Sequence, residues 1–230
     1  MDPLRVAFLL FPNVTQLDLT GPAQVLSRLG NAKLDLVWKS RDPVPTDAGF
    51  AIVPTATFAE VEAADILCVP GGIGVAEVMQ DEETMAWLRQ VGAGAQWVTS
   101  VCTGSLILAA AGFLKGKRAA CHWAWRDLLV PFGAIVDDSR VARDGNIITG
   151  GGVTAGLDFA FVLMAELAGE TLAKSVQLGL EYAPSPPFAS GRPELASPEI
   201  LAAVKARMEP FAQSRLDAVK QVAARLETAQ

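Results

Sequence analysis

Trp97-Val-Thr-Ser-Val-Cys-Thr-Gly-Ser-Leu-Ile-Leu-Ala-Ala-Ala111 is the stretch on which the fold turns. Trp97–Val101 reads as a buried strand. Cys102 ends it, and Gly104–Ala111 begins an apolar helix almost at once. The same alternation spreads in both directions. Upstream, Arg5–Phe11, Leu34–Trp38 and Asp65–Val69 read as strands, the first stopped by Pro12-Asn13 and the third by Pro70-Gly71-Gly72. Downstream, Asn146–Thr149 reads as a fifth strand, entered through a turn at Asp144-Gly145. Helical patterns fill the intervals at 22–29, 82–91, 123–131 and 154–168. Near-continuous apolar strands belong in a sheet covered on both faces, so the alternation predicts an α/β sandwich with a mainly parallel sheet. In such folds chemistry collects beyond the carboxyl ends of the strands.

The last 45 residues are different in kind. Pro184, Pro186, Pro187 and Pro193 mark an irregular connector, and 198–226 then reads as one Ala-rich helical stretch. Five basic and four acidic residues lie between Glu199 and Glu227, a mixed charge that does not suit a DNA-binding helix. The expected organisation is a main domain over 1–190 and a helical extension over 191–230. The extension is expected to pack on the same domain or on a dimer partner.

Composition narrows the function. Nineteen Lys and Arg face 25 Asp and Glu, a net charge of −6. Without a basic cluster, nucleic acid and anionic membranes are poor partners. The longest apolar run, Leu106–Leu114, is broken by Gly112 and falls far short of the ~20 residues that span a bilayer. Val6–Phe11 is too short for the apolar core of a secretory signal, and Asp2 stands where such a signal carries positive charge. Three cysteines make no disulfide framework and point to a reducing cytoplasm. The single histidine, His122, argues against most zinc sites and every two-histidine mechanism.

The residues that can carry chemistry centre on Cys102. Small residues stand two before it, at Ser100, and two after it, at Gly104, the spacing of a nucleophile elbow. The following helix terminus is expected to lower the thiol pKa. On spacing alone, a buried structural cysteine in a strand–helix turn fits equally well. Cys68, in mid-strand, reads as structural, whereas Cys121 adjoins His122 and is open to either reading. A lone histidine is more often structural than catalytic, so the proton carrier is expected to be a carboxylate. Asp18, just past the first strand, is the best placed. Thr20 is expected to cap the helix entered at Pro22, freeing Asp18 from that duty. The glycine clusters at 70–74 and 150–156 fit no phosphate-loop pattern and read instead as loops that bring backbone amides to the site.

Taken in order, Asp18-Leu-Thr-Gly-Pro22, Pro70-Gly-Gly72, Val101-Cys-Thr-Gly104, Ala111-Gly112 with Gly116-Lys-Arg118, His122-Trp123, Thr149-Gly-Gly-Gly152 and Glu181-Tyr-Ala-Pro-Ser-Pro-Pro-Phe188 resemble the ThiJ/PfpI superfamily. Within it they most resemble the isonitrile (isocyanide) hydratases, over roughly residues 4–226. The resemblance implies a flavodoxin-like three-layer sandwich, a homodimer, and hydration of a small neutral isocyanide to an N-substituted formamide without metal or organic cofactor. It further implies Cys102 as nucleophile, Asp18 as acid/base, and backbone amides of Gly72, Thr103 and Val153 around the sulfur or the bound group. Thr103 stands where the peptidase-like members carry histidine, which counts against that branch. A ligand- or redox-sensing role, as in the AraC-type regulators that share this domain, is the alternative. Such regulators carry roughly a hundred further residues of helix-turn-helix, for which only about 35 remain here.

Overall fold

Seven strands form one sheet in the computed structural model, which describes residues 3–228. They are β1 (Leu4–Leu9), β2 (Ala32–Trp38), β3 (Ala56–Thr57), β4 (Ile66–Val69), β5 (Trp97–Val101), β6 (Val141–Asp144) and β7 (Ile147–Gly150). Their spatial order is β6-β7-β5-β4-β1-β2-β3. Every pairing is parallel except β6 with β7, which form an antiparallel hairpin at one edge. The central strands are apolar on both sides, and every residue of β4, β5 and β7 is buried. Helices therefore cover both faces. On one face α1 (Gln16–Leu26), α5 (Ala155–Ala168) and α6 (Glu170–Gly179) pack together. On the other lie α2 (Val75–Gln80), α3 (Glu82–Gly94), α4 (Gly104–Ala110) and α8 (Ala212–Thr228), with α7 (Pro198–Met208) reached from the connector.

From β1 the chain winds outward to β2 and β3, then returns to β4 on the other side of β1. That reversal opens a crevice at the carboxyl ends of β1 and β4, where ligands bind in open α/β sheets. The segments leaving β1, β4, β5 and β7 carry Asp18, Gly72, Cys102 and Val153 to this edge.

The sandwich and the five expected strands are present, with ends shifted by up to two residues. The helix expected at 22–29 instead begins at Gln16. Pro22 lies inside it, where its missing N–H removes the ladder bond to the Asp18 carbonyl. Thr20 is therefore not a cap; its hydroxyl bonds the Gln16 side chain at 2.8 Å. The stretch 123–131 forms only a 3₁₀ helix at Arg126–Phe132, which contains Pro131. The expected helix over 198–226 is broken by a 3₁₀ turn at Glu209–Phe211, where Pro210 has no N–H to continue the ladder. Neither α2 nor α6 was expected.

Of the extension, α8 lies on the sandwich, burying Ala218, Val219, Val222 and Ala223, whereas α7 buries no residue. Met1, Asp2, Ala229 and Gln230, at the ends of the expected domain ranges, lie outside the described residues. No helix among the described residues is long and apolar enough to cross a membrane.

Candidate active site

The elbow after β5 is held by constraints on both sides of Cys102. Its backbone has φ of 58°, a left-handed conformation rarely adopted by a non-glycine residue and one that concentrates at functional sites. Its N–H donates to the Gly150 and Gly151 carbonyls at 3.1 and 2.8 Å, tying the turn to the end of β7. Gly104 has to be glycine, because a Cβ there would overlap the Val69 carbonyl oxygen. The hydroxyls of Ser100 and Ser105 meet at 2.8 Å, and Ser105 donates to the Ala120 carbonyl at 2.6 Å. The small residues flanking the cysteine thus let the strand, the turn and α4 approach closely.

Asp18 reaches the same point from the first turn of α1 and is almost wholly buried. Its Oδ2 accepts the Gly71 N–H at 2.9 Å, while Oδ1 is buried without a hydrogen-bond partner among the described residues. Burial is the main force on this carboxyl and pushes its pKa up to about 7; the Gly71 amide and the Cys102 side chain oppose it, and the Asp47 charge adds to it. Cys102 responds in kind. Burial, then the Asp18 and Cys121 charges, push its thiol well above the ordinary value, against the N–H and hydroxyl of Thr103. The expectation that the helix terminus would lower this pKa is therefore overturned. α4 is seven residues long, and burial outweighs its terminus. Two groups that each resist ionisation titrate as a pair, and once the first proton has left they hold one proton between them.

The three residues expected to bring backbone amides to the site all lie at the elbow or its cavity. The Gly72 N–H donates to Thr103 Oγ1 at 3.0 Å. Thr103 interacts with the sulfur through both its N–H and its hydroxyl. Val153 is half-buried and lines the same cavity as Cys102, a space of about 180 Å³.

His122 and Trp125 line that cavity too. The His122 N–H reaches the Cys102 carbonyl at 3.4 Å, and its Nδ1 accepts the Ala124 N–H at 3.3 Å, which leaves the ring proton on Nε2. Burial and the Arg215 charge hold its pKa down to about 4, so the ring is neutral at physiological pH. A larger polar cavity of about 280 Å³ shares His122 and Val153 and contains Arg126, Arg140 and Arg192, but it does not include Cys102 or Asp18. Among the described residues no three His, Cys, Asp or Glu side chains group so as to hold a metal ion.

One residue of this cavity escapes a reading of the sequence by motif. Arg215, on α8, is 5% exposed. Its guanidinium stacks 4.3 Å from the Trp125 ring and donates to the Gly72 carbonyl at 2.9 Å. A signal is nonetheless there: Arg215, Ala218, Val219, Val222 and Ala223 fall at i, i+3, i+4, i+7 and i+8, so the arginine stands on the apolar stripe of its helix.

Comparison with known proteins agrees with this architecture. Over 97% of its length the chain is 50% identical to a protein named isonitrile hydratase from Pseudomonas putida, covering 98% of that protein. A crystal structure of a ThiJ/PfpI family protein from Pseudomonas syringae superposes with a TM-score of 0.92 at 45% identity, covering 95% of this chain and 91% of the other. The structure of Drosophila melanogaster DJ-1beta is matched over its whole length by 79% of this chain, at 26% identity and a TM-score of 0.71. Residues 4–166 match the DJ-1/PfpI family as a whole, a span that holds Asp18, Gly72, Cys102, Thr103 and Val153 and ends well before Arg215. The chain belongs to the DJ-1/PfpI family.

Proposed function

We propose that this protein is an isonitrile hydratase, a lyase that adds water to a small neutral isocyanide through Cys102 and Asp18. The observation that carries the reading is the buried pair itself: a thiol and a carboxyl, each resisting ionisation, with the thiol lining a cavity of about 180 Å³. The 50% identity to a protein of that name supports it.

The chemistry follows from one shared proton. An isocyanide carbon accepts a nucleophile and a proton at the same atom. Cys102 Sγ bonds to that carbon while Asp18, in its acid form, delivers the proton there, giving a covalent thioimidate and an Asp18 carboxylate. A water oxygen then adds to the carbon, its proton passing to Asp18 and on to the nitrogen. The C–S bond breaks, the hydroxyl proton returns to Asp18, and formamide leaves with the pair as it began. Thr103 steadies the charge on sulfur, and neutral His122 shapes the wall without taking a proton. A neutral substrate needs no basic steering, in keeping with the net charge of −6.

We further propose a cytoplasmic homodimer. Leu178 on α6, Phe188 and Leu195 in the connector, and Ile200 on α7 are all at least half exposed, the kind of apolar surface a second subunit covers.

The decisive experiment follows formamide formation from alkyl and aryl isocyanides with the wild type, Cys102→Ala and Asp18→Asn. Turnover by the wild type, none by Cys102→Ala and a severe loss in folded Asp18→Asn are expected. A wild type inert toward every isocyanide, or a fully active Cys102→Ala, would overturn the assignment. Unchanged turnover in Asp18→Asn would move the proton carrier elsewhere.

A further inference from the structure

We propose that the helical extension sets the size of substrate that Cys102 accepts, with Met208 and Phe211 as one wall of its cavity. This rests on the hydratase reading for the nature of the substrate, and on the cavity alone for its limits.

Two parts of the chain build that cavity. The sandwich and its loops supply Cys102 with Trp125 and Val153, and the extension supplies Met208, Phe211 and Arg215. The lining is mostly apolar, so the group lodged beside the thiol is an apolar substituent. The space is about 180 Å³, and an apolar cavity of about 150 Å³ already holds a benzene ring. One ring more or less in the wall therefore changes its capacity by a large fraction. The neighbouring polar cavity is lined by no residue of α7 or α8, so the two helices bear on the cysteine side alone.

The placement of the wall follows from the sequence. Met208, Phe211 and Arg215 fall at i, i+3 and i+7, on the stripe that continues into Ala218, Val219 and Val222. The 3₁₀ turn at Glu209–Phe211 carries this stripe past Pro210. Its later residues are buried against the sandwich, whereas Met208 and Phe211 are half-buried, packed on the core and open to the cavity. Arg215 pins the stripe between these two stretches. Its guanidinium donates to the Gly72 carbonyl at 2.9 Å and lies 4.3 Å from the Trp125 ring and 6.0 Å from the Phe211 ring. A wall fixed in this way discriminates by size, since one methylene in an apolar pocket changes selectivity by about tenfold or more. Residues 4–166, which match the family as a whole, contain the nucleophile but none of this wall. The extension thus adds selectivity to a reactive centre that the sandwich already holds.

The test reads a ratio, which a loss of stability alone would leave unmoved. The kcat/KM for 2-naphthyl isocyanide relative to tert-butyl isocyanide is compared in the wild type, Met208→Ala, Phe211→Ala and Phe211→Trp. Lys205→Ala, exposed on α7, is the control. The ratio is expected to rise about tenfold in Phe211→Ala and about threefold in Met208→Ala, to fall about tenfold in Phe211→Trp, and to stay unchanged in the control. The same selection is read without isocyanide by alkylating Cys102 with N-(2-naphthyl)iodoacetamide and with iodoacetamide, and quantifying the Cys102 peptide by mass spectrometry. A wild type that hydrates neither isocyanide would count against the proposed reaction, and the alkylation ratio would then decide the wall by itself. If Phe211→Ala does not fold, Phe211→Leu takes its place. Wild-type ratios in the folded Phe211 and Met208 variants would overturn the proposal. A ratio that Phe211→Trp and Phe211→Ala shift in the same direction would do so too. So would a Cys102 that neither alkylating reagent reaches, because the cavity would then not be the approach to the thiol.

Discussion

Cys68 and Cys102 stand on neighbouring strands and are both buried, yet only one can do chemistry. Cys68 lies within β4, paired in register with Thr99 of β5. Its sulfur accepts the Thr99 hydroxyl at 3.1 Å, and burial pushes its thiol up to about 12. Among the described residues no titratable neighbour acts on it. Cys102 lies one residue past the end of β5, in a left-handed turn, with Asp18 beside it and a cavity before it. Burial makes both thiols reluctant to ionise. What separates them is a place to put the proton and room for a substrate, and both are supplied by the strand end. Reactivity here is a property of position in the fold, with residue type as its precondition.

The largest expected effect breaks that comparison directly. Cys102→Ala should lower isocyanide turnover by a factor on the order of a thousand or more, the usual cost of deleting a nucleophile. Cys68→Ala should leave kcat/KM within about threefold of the wild type. Comparable losses in the two variants would mean that the elbow confers nothing special.

A smaller effect tests the space between the two reactive groups without touching either. A Cβ on Gly71 would lie 2.5 Å from Thr103 Oγ1, 2.6 Å from Thr103 N and 2.9 Å from Asp18 Oδ2. Gly71→Ala should therefore separate the acid from the elbow and lower kcat at least about tenfold. Gly30→Ala, where a Cβ meets nothing within 4 Å, is the control and should be neutral. Equal kcat values in the two variants would show that the pair tolerates displacement.

The elbow is legible in the sequence because its determinants are local. An apolar strand, a cysteine, small residues and an apolar helix follow one another within fifteen positions, and the sheet order leaves them one edge to occupy. Asp18 is legible as a site residue for a partly mistaken reason. Pro22 suggests a helix start, whereas the helix begins nearly two turns earlier and tolerates proline inside it. The carboxyl is available because burial leaves one of its oxygens unpaired. The role of the Gly72 amide cannot be read, since which hydroxyl a buried N–H finds depends on loops more than thirty residues apart. Arg215 is hardest. A charge tally over 199–227 averages a buried arginine with exposed ones, and only its phase on the helix distinguishes it. Pro210, which divides α7 from α8 and sets the docking of the second helix, is visible but outweighed by the Ala-rich composition around it.

An effect on stability rather than on rate separates the two cysteine environments by pH. Asp18 in the folded protein has its pKa raised to about 7 from an ordinary 3.8, mainly by burial. Between those values the unfolded chain has released the Asp18 proton and the folded chain still holds it. The folded state therefore binds more protons, and stability falls as pH rises, by about 1.4 kcal/mol per pH unit and roughly 4 kcal/mol in all. Above pH 7 both states are ionised at this position and the loss levels off. Asn at position 18 cannot ionise, so Asp18→Asn should be increasingly more stable than the wild type from pH 4 to 7, with the difference constant above that. Urea unfolding at pH 4, 5.5, 7 and 8 measures it. Cys68→Ala, made where no acid is coupled to the thiol, should differ from the wild type by the same amount at all four values. A difference for Asp18→Asn that stays flat or narrows with rising pH would mean that the folded protein holds this carboxyl ionised. In that case Asp18 could not supply the proton that the first step requires.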